Sequence, residues 1–411
     1  MKKFLCVVLS VLMLVACLTA CGGNDNTSDA NTGDSNGSSN ADNTSSDGET
    51  IKVGILGCHT GEYATYGLGV KNGAMLYIDE VNANGGINGK QIEPVIYDNK
   101  GDNSEAINAF SRMVDEGITA LIGDVLTGNT IAVVGEAYPI NMPMITPSAT
   151  AEAVTYDAES DTVYSNVFRT CFLDPDQGKT MANYAKDVLG AKTAAILFET
   201  GSDYSVGLKD AFVETCKANG IEVVQTEGFA TGDKDFKAQL TNINAKNPDV
   251  LFVPAYYETD GLIVTQAREV GIKATLLGGD GWAGIADYAS AEDLQGSYYC
   301  SGYAPDSTDA VKDWEAKFTA KYDKTTMNMF AATAYDAAAV LCHALEVAES
   351  KGLKTGSDEY KQAVIDAIRD DSKDVKGITS DGYTFDEHNN PIKSFTIMTL
   401  DGGKEVYKET Y

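Results

Sequence analysis

Residues 51–57 read IKVGILG, a short apolar run bounded by glycine that has the length of a buried strand. The stretch 68–84 follows it, with Val70, Ala74 and Val81 at helical spacing. A strand followed at once by an amphipathic helix is the elementary unit of an α/β fold. We therefore take this pair as the start of a parallel sheet.

The same strand and helix pattern repeats along the chain to residue 146. Predicted strands lie at 92–97, 118–125 and 143–146, and predicted helices lie at 104–116 and 130–138. This βαβαβαβ order predicts a parallel sheet with helices on both faces.

A second series of the same kind starts near Asp176. Its predicted elements, in chain order, are helix 178–189, strand 193–198, helix 204–218, strand 221–225, helix 236–247, strand 250–254, helix 262–270 and strand 275–277. The pattern then changes to strand 297–303, helices 308–322, 331–350 and 357–370, and a β-meander over 378–411 with a hairpin turn at 401–403. Two doubly wound α/β lobes are therefore predicted, with a cleft between the carboxyl ends of their strands.

The N-terminus has the pattern of an export signal. Lys2 and Lys3 precede an apolar run over 4–18, and the run ends in Leu-Thr-Ala-Cys at 18–21. That ending resembles a bacterial lipobox, which implies that residues 1–20 are a lipoprotein signal peptide and that Cys21 becomes the lipidated N-terminus. The alternative is an ordinary secretory signal with an incidental cysteine. Both interpretations place the protein outside the cytoplasmic membrane, and the first anchors it to the outer face of the cell membrane.

The segment after Cys21 is predicted to be a disordered tether. Residues 22–50 contain only Gly, Asn, Asp, Thr, Ser, Ala and one Glu. Such a composition cannot bury enough apolar surface to offset the entropy of the chain. We therefore expect 21–50 to be the lipidated cysteine and a flexible linker.

The charge of the chain excludes two classes of partner. The formal net charge is −29 at pH 7. Nucleic acids and anionic lipid surfaces both need a positive footprint on their protein partner. We expect no nucleic-acid partner, and no second stretch of the sequence reads as a membrane span.

The cysteines of the body do not indicate a metal site. There are five, and no CxxC pattern joins any of them: Cys58, Cys171, Cys216, Cys300 and Cys342. Zinc sites and disulfide frameworks depend on close, paired spacing. We expect buried free thiols, and no metal or cofactor.

The body of the chain resembles the type I periplasmic-binding-protein fold, in the leucine/isoleucine/valine-binding branch of the ABC-transporter solute-binding lipoproteins. The motifs that carry the resemblance are 51–57, Thr60-Gly61, Tyr66-Gly67, the turn NANGGING at 82–89, Asp98, Ile122-Gly123, MITPSAT at 144–150, FRT at 168–170 and YDA at 335–337. The resemblance implies two Rossmann-like lobes joined by a hinge of several strands. The N-terminal lobe would comprise 51–171 plus 305–390, and the C-terminal lobe 172–304 plus 391–411.

The resemblance also implies a binding site for an amino acid. Thr127 falls where a hydroxyl contacts the ligand α-carboxylate, and Asp280 falls where an acidic side chain pairs with the ammonium group. In the SAT motif the Ser148 carbonyl accepts from the ammonium, and Thr150 serves both groups. The full implied set is Tyr66, Thr127, Ser148, Ala149, Thr150, Tyr204, Tyr256, Asp280 and Phe330, whose aromatic members surround the ligand side chain.

The residue types support this assignment independently. Thr127 and Thr150 follow predicted strands of the first lobe, where hydroxyls and backbone amides suit a carboxylate. Asp280 follows the strand 275–277 of the second lobe, and a carboxylate there suits an ammonium group.

Each assignment also has a plainer alternative. Either threonine could only be a helix N-cap, Asp280 could be a turn residue, and Phe330 could be ordinary core. Tyr256 and Tyr257 are adjacent, so we expect only one of them, Tyr256, to face the cleft.

Several positions depart from the pattern of the branch. A small disulfide that the branch commonly carries is absent, because its positions are Gly101 and Leu126. The acidic residue is Asp instead of Glu, and Trp282 follows it closely and is a candidate to enter the pocket. His59, Glu62 and Tyr63 in the first loop are also unusual. These departures leave a polar, aromatic or amide-type ligand open.

The sequence therefore predicts a monomeric, lipid-anchored solute-binding protein that captures an amino acid, most simply a branched-chain one, and delivers it to an ABC permease and ATPase encoded as separate chains. No catalysis is expected, since His59, His343 and His388 stand outside any catalytic motif. The alternative function is a sensor that binds the amino acid without transport.

Overall fold

The computed structural model describes residues 49–411. The predicted signal peptide, the lipidation of Cys21 and nearly all of the linker lie outside these residues. The described part of the chain is mixed α/β, with two main sheets whose parallel strands confirm the predicted fold class.

The first main sheet has five parallel strands in the order β2-β1-β3-β4-β7. Strand β1 sits inside it and pairs with β2 from Ile51↔Ile92 to Gly57↔Asp98. The elements of this part are β1 Ile51–Gly57, α1 Ala64–Ala83, β2 Ile92–Asp98, α2 Asn103–Asp115, β3 Ala120–Ile122, α3 Thr127–Ala137, β4 Met144–Thr146, the short hairpin strands β5 Tyr156–Asp157 and β6 Thr162–Val163, and β7 Val167–Arg169.

The second main sheet has seven strands in the order β14-β13-β12-β11-β10-β8-β9. Its elements up to residue 301 are α4 Asp174–Asp187, β8 Thr193–Glu199, α5 Asp203–Asn219, β9 Glu222–Phe229, α6 Lys237–Asn244, β10 Val250–Phe252, α7 Tyr257–Glu269, β11 Thr275–Gly278, α8 Ala291–Leu294 and β12 Tyr298–Ser301. These strands are parallel to one another.

The last third of the chain is divided between the two sheets. Helices α9 Asp309–Lys321, α10 Met329–Ser350 and α11 Asp358–Asp371 come first, and α10 packs along α1 in the first lobe. Strands β13 Thr396–Asp401 and β14 Lys404–Thr410 then form an antiparallel hairpin on the edge of the second sheet. The chain therefore passes between the lobes more than once, and each lobe contains residues that are far apart in the sequence.

The predicted β-meander is wrong over its first half. Residues 378–395 form no strand, and only the hairpin on either side of the predicted turn at 401–403 pairs. The segment is held instead by side chains, because the Asp336 carboxylate accepts the backbone N–H of Thr379 at 2.9 Å and the hydroxyl of Tyr383 at 2.6 Å. Alternating polarity shows only that one side of a segment is buried. A loop anchored by its side chains can be buried on one side too, so the pattern did not distinguish it from a strand.

Two helix interpretations also need correction. Helix α7 begins at Tyr257, five residues before the prediction, because Glu258 and Asp260 in its first turn interrupt the apolar periodicity. The sequence analysis expected no second stretch that could span a membrane, but helix α10 is long and apolar enough to do so by composition, and it is mostly buried inside the protein.

All five body cysteines are buried free thiols, as predicted from their spacing. Gly101 and Leu126 are spatial neighbours, since a Cβ at Gly101 would lie 3.5 Å from Leu126 Cδ1. The two loops therefore approach each other closely at the positions where the disulfide is absent.

Candidate functional site

The carboxyl ends of β3 and β4 present the first group of predicted site residues. Thr127 opens the 11-residue helix α3, and its hydroxyl oxygen accepts the Thr150 backbone N–H at 3.4 Å. Ser148 donates its hydroxyl to the Val125 carbonyl at 2.7 Å, so that hydroxyl is engaged within the first lobe. The first amides of a helix have no intrahelical acceptor, and they attract a negatively charged group. This end of the first lobe is therefore suited to a carboxylate.

Thr150 has the environment expected of a ligand-binding hydroxyl. The residue is fully buried, and its Oγ1 has no hydrogen-bond partner among residues 49–411. Ala149, which precedes it, is also fully buried, and its carbonyl accepts from the Arg169 guanidinium at 2.9 Å. A buried hydroxyl without a partner costs free energy unless a bound group satisfies it. The arrangement marks the space beside Thr150 as the position of a polar group.

Asp280 lies at the carboxyl end of β11 in the second lobe and is only 1% exposed. Its Oδ1 accepts from the Tyr204 hydroxyl at 2.8 Å and from the Gln177 amide at 3.1 Å. Its Oδ2 has no partner within the described chain. Burial raises the pKa of this carboxyl to about 6. The side chain is held in one orientation by Tyr204 and Gln177, with one oxygen left for a donor.

Asp174 is a candidate site residue that the sequence analysis missed. It is the first residue of α4 and fully buried, and neither carboxylate oxygen makes a hydrogen bond of normal geometry among the residues described, although the Thr150 hydroxyl lies close enough to lower its pKa. Its backbone N–H donates to the Thr150 carbonyl at 2.9 Å. Burial and then the charge of Asp280 raise its pKa well above the usual range. In the sequence it precedes a proline, so it looks like an ordinary helix start.

An aromatic cluster closes the site. The Tyr204 and Tyr256 rings are stacked, with centroids 4.8 Å apart. Tyr66 from α1 meets the ring of Phe330 from α10 edge to face at 4.7 Å. Tyr66 and Tyr256 are 5.9 Å apart, so the four predicted aromatic residues form one continuous surface that combines both lobes. Such rings offer large, stiff apolar area with polar tips.

Tyr66 joins the two lobes directly. Its hydroxyl donates to the Gly281 carbonyl, and it accepts the Tyr257 backbone N–H at 3.3 Å. The sequence analysis assigned only Tyr256 of the adjacent pair, but the Tyr257 ring also contacts Tyr66, at 4.6 Å. Tyr256 is the N-cap and Tyr257 the first residue of α7, so their side chains need not point to opposite sides as neighbours in a strand do.

Trp282 does not enter the site. It is fully buried, and its indole N–H donates to the Val253 carbonyl at 2.8 Å. Its ring lies against Gly278, where a Cβ would come within 2.3 Å of it. Trp282 therefore supports the loop that carries Asp280 from behind, in the core of the second lobe.

His59, another residue of the unusual first loop, is partly buried, and its Nε2 has no hydrogen-bond partner among residues 49–411. Burial, followed by the charge of Lys71, lowers its pKa to about 4, so the imidazole is neutral at physiological pH. Its backbone N–H donates to Asp98 Oδ1 at 2.8 Å, and the Lys100 N–H donates to the same oxygen at 2.9 Å. Asp98 thus organises the loops after β1 and β2.

Comparisons with known proteins agree with this architecture. The family model described as periplasmic binding protein matches residues 50–405. The Leu/Ile/Val-binding protein BraC3 of Rhizobium johnstonii is 32% identical over 365 residues, which cover 87% of this chain and 94% of that protein.

Two solved structures are similar over nearly their whole length. One is the branched-chain amino acid transporter substrate binding protein LivJ from Streptococcus pneumoniae in complex with isoleucine, with 34% identity, a TM-score of 0.79, and coverage of 88% of this chain and 99% of LivJ. The other is the leucine binding protein LivK from Thermotoga maritima, with 29% identity, a TM-score of 0.78, and coverage of 88% and 98%. These matches confirm the resemblance and the two-lobed type I fold. The chain belongs to the periplasmic binding protein family.

Proposed function

We propose that this protein is the extracytoplasmic solute-binding component of an ABC importer and that it captures a branched-chain amino acid between its lobes. The observation that carries the proposal is a pair of buried polar atoms at the junction of the lobes, Thr150 Oγ1 and Asp280 Oδ2, which make no hydrogen bond of normal geometry within residues 49–411 and lie beside the aromatic cluster. A ligand with a carboxylate, an ammonium group and an apolar side chain satisfies all of these features.

The ligand would be divided between the two lobes. Its carboxylate would lie at the start of α3, with Thr127 and Thr150 donating, and its ammonium group would meet the Ser148 carbonyl and Asp280. Its side chain would contact Tyr66, Tyr204, Tyr256 and Phe330. Because each lobe holds only part of the ligand, binding would favour the conformation in which the lobes meet. The names of the relatives, which bind leucine, isoleucine and valine, support an aliphatic side chain.

The division into lobes is part of the proposal. We assign 51–171 plus 305–390 to the N-terminal lobe and 172–304 plus 391–411 to the C-terminal lobe. The packing of α10 on α1 and the pairing of β13 with β12 support this assignment. The connections near residues 171, 304 and 391 would then act as the hinge.

The anchor and the partners complete the proposal. A lipid on Cys21 and the linker 21–50 would hold a monomeric protein at the outer face of the cell membrane, where it meets a separate permease and ATPase. The lipobox-like ending at 18–21 supports the anchor. The protein would perform no chemistry and need no cofactor, since release to a permease requires only that the lobes open.

Thermal unfolding of the purified protein against the twenty amino acids tests the ligand. A ligand that binds only the folded state stabilises it by mass action, by about 2.7 kcal/mol at a hundredfold excess over Kd, and so raises the unfolding midpoint. We expect leucine, isoleucine and valine to give the largest shifts. Shifts only with polar or aromatic amino acids would overturn the specificity, and no shift with any amino acid would overturn the function. Capture of an ABC permease from the native membrane fraction, instead of a sensor kinase, would support transport.

A further inference from the structure

Asp174 and Asp280 form a pair of buried carboxyl groups at the junction of the lobes. Asp174 is fully buried at the start of α4, and Asp280 is 1% exposed after β11. Of their four carboxylate oxygens, three have no hydrogen-bond partner in the part of the chain that the structure describes: both oxygens of Asp174 and Oδ2 of Asp280. Thr150 Oγ1, also without a partner there, belongs to the residue whose carbonyl accepts the Asp174 N–H. Both carboxyl groups therefore lie at the start of α4, since Gln177 of that helix donates to Asp280 Oδ1 at 3.1 Å and the Thr150 hydroxyl lies close enough to Asp174 to lower its pKa.

The charges around the pair do not neutralise it. Arg169 is the cation that acts on Asp174, but its Nη atoms are committed to the Ala149 and Ala151 carbonyls, both at 2.9 Å, and to the Thr155 hydroxyl at 3.0 Å. The other titratable groups that face the pair are an acid, phenols and thiols: Glu152, Tyr66, Tyr204, Tyr256, Cys171 and Cys300. Burial, followed by the charge of Asp280, raises the pKa of Asp174 well above its ordinary value, so the pair retains a proton.

An ammonium group suits this arrangement because it can use more hydrogen-bond acceptors than a single carboxylate provides. It offers three N–H donors and one positive charge, and it needs acceptors on more than one side. Asp280 supplies one unpartnered oxygen and Asp174 supplies two. A positive charge beside two carboxyl groups also favours their ionised forms, so the pair no longer needs a proton to reduce the repulsion between them.

We propose that Asp174 is a second binding residue for the ligand's ammonium group, and that capture of the amino acid expels the proton that the Asp174–Asp280 pair holds beforehand. This inference rests on the proposed function and adds a binding residue and a proton to it. The ammonium group arrives and stays protonated, one O–H bond of the pair breaks, and that proton goes to solvent. The pair then carries two negative charges beside one positive charge.

Two consequences follow. Affinity for an amino acid should rise with pH over the range in which the unliganded pair holds its proton. The reason is that releasing this proton to solvent costs less free energy at higher pH. The site should also discriminate strongly against carboxylic acids that lack an amine, since they would leave both aspartates without a counter-charge.

Isothermal titration calorimetry with leucine, in buffers of different ionisation enthalpy between about pH 5 and pH 8, measures the proton directly. We expect the parent protein to release up to about one proton per leucine, most at the acidic end of the range. Asp174→Asn should release less and bind leucine at least about tenfold more weakly. Isocaproate, which is leucine without its ammonium group, should release no proton.

Asp260→Asn is the matched control. Asp260 is likewise fully buried with two unpartnered oxygens among residues 49–411, but it lies in α7 and outside the pair. This variant should release the same number of protons as the parent.

Tight leucine binding by the parent without proton release, or an Asp174→Asn variant with unchanged affinity, would overturn this inference and leave the proposed function standing. If the parent binds no amino acid, the proposed function fails and this inference fails with it.

Discussion

The hydroxyl of Tyr257, in the second lobe, donates a hydrogen bond of 2.7 Å to the backbone carbonyl of Glu62, in the first lobe. The neighbouring Tyr63 and Tyr256 rings meet edge to face at 5.3 Å, and Lys234 forms an ion pair with Glu62 at 3.2 Å. These contacts cross the cleft without touching the residues assigned to the ligand's charged groups. The loop around Glu62, which looked anomalous in the sequence, therefore contributes to holding the lobes together.

The first prediction concerns the rate at which ligand leaves. Tyr257→Phe keeps the ring against Tyr66 but removes the bond to Glu62, which should cost the closed form about 1 kcal/mol. We expect the dissociation rate of leucine to rise roughly fivefold, with little change in the association rate. Stopped-flow displacement measures both rates.

Tyr184→Phe is the control for that experiment. The Tyr184 hydroxyl bonds Glu409 at 3.2 Å within the second lobe, so its loss should not change the dissociation rate. Equal rates for the parent and Tyr257→Phe would show that the contact with Glu62 does not stabilise the closed form.

The second prediction concerns the residues that hold the two ends of the ligand. Asp280→Ala and Thr150→Ala should each weaken amino-acid binding by about 2–5 kcal/mol, because each leaves a desolvated charged group of the ligand without its partner. Titration calorimetry measures the loss. Asp287→Ala, an exposed position in the same loop as Asp280, should bind as the parent does. Two variants with parental affinity would refute the site assignment.

The third prediction concerns the pH dependence of stability. Burial raises the pKa of Asp260 well above its ordinary value of 3.8. The folded state then binds the proton more tightly than the unfolded state, so this group's contribution to stability is complete below the ordinary pKa and is lost as pH rises above it. Asp260→Asn carries no such charge and should become progressively more stable than the parent as pH rises, by at most about 1.4 kcal/mol per pH unit.

Denaturant unfolding of both proteins at several pH values measures this difference. Asp401→Asn, at the exposed hairpin turn, controls for the loss of a carboxylate at the surface. A stability difference between Asp260→Asn and the parent that stays constant across the pH series would mean that Asp260 does not titrate in the folded protein.

The fourth prediction concerns the contact between α1 and α10. A Cβ at Gly73 would lie 2.0 Å from the Ala331 carbonyl oxygen, so the two helices approach closely only because Gly73 has no side chain. We expect Gly73→Ala to destabilise the protein by roughly 3 kcal/mol, as overpacking of a rigid core does. Gly135→Ala in α3 is the control, since a Cβ there meets nothing within 4 Å and should stabilise by about 0.5–1 kcal/mol. Equal unfolding midpoints for the two variants would contradict the packing argument.

The sequence predicted the alternation of strands and helices well because hydrophobic periodicity reports burial directly. It therefore placed β1, α1, β4 and β11 within a few residues, and with the last two the loops that carry Thr150 and Asp280. It could not identify Asp174 as a site residue, because an aspartate followed by a proline is common at the start of a helix and needs no functional role to account for it. Only the fold reveals that this carboxylate is buried against Asp280, since that proximity joins segments more than a hundred residues apart.

Strands β13 and β14 form the edge of the second sheet, while α10 and α11 cover the first, so neither lobe is complete until the last third of the chain is present. Such a topology has a high contact order, and its loops must close over long sequence separations before native contacts form. Folding should accordingly be slow and late, with no stable lobe appearing while the polypeptide is still being synthesised. A chain that stays unfolded until its end emerges remains available for threading through a narrow pore, which suits a protein made on one side of a membrane and used on the other.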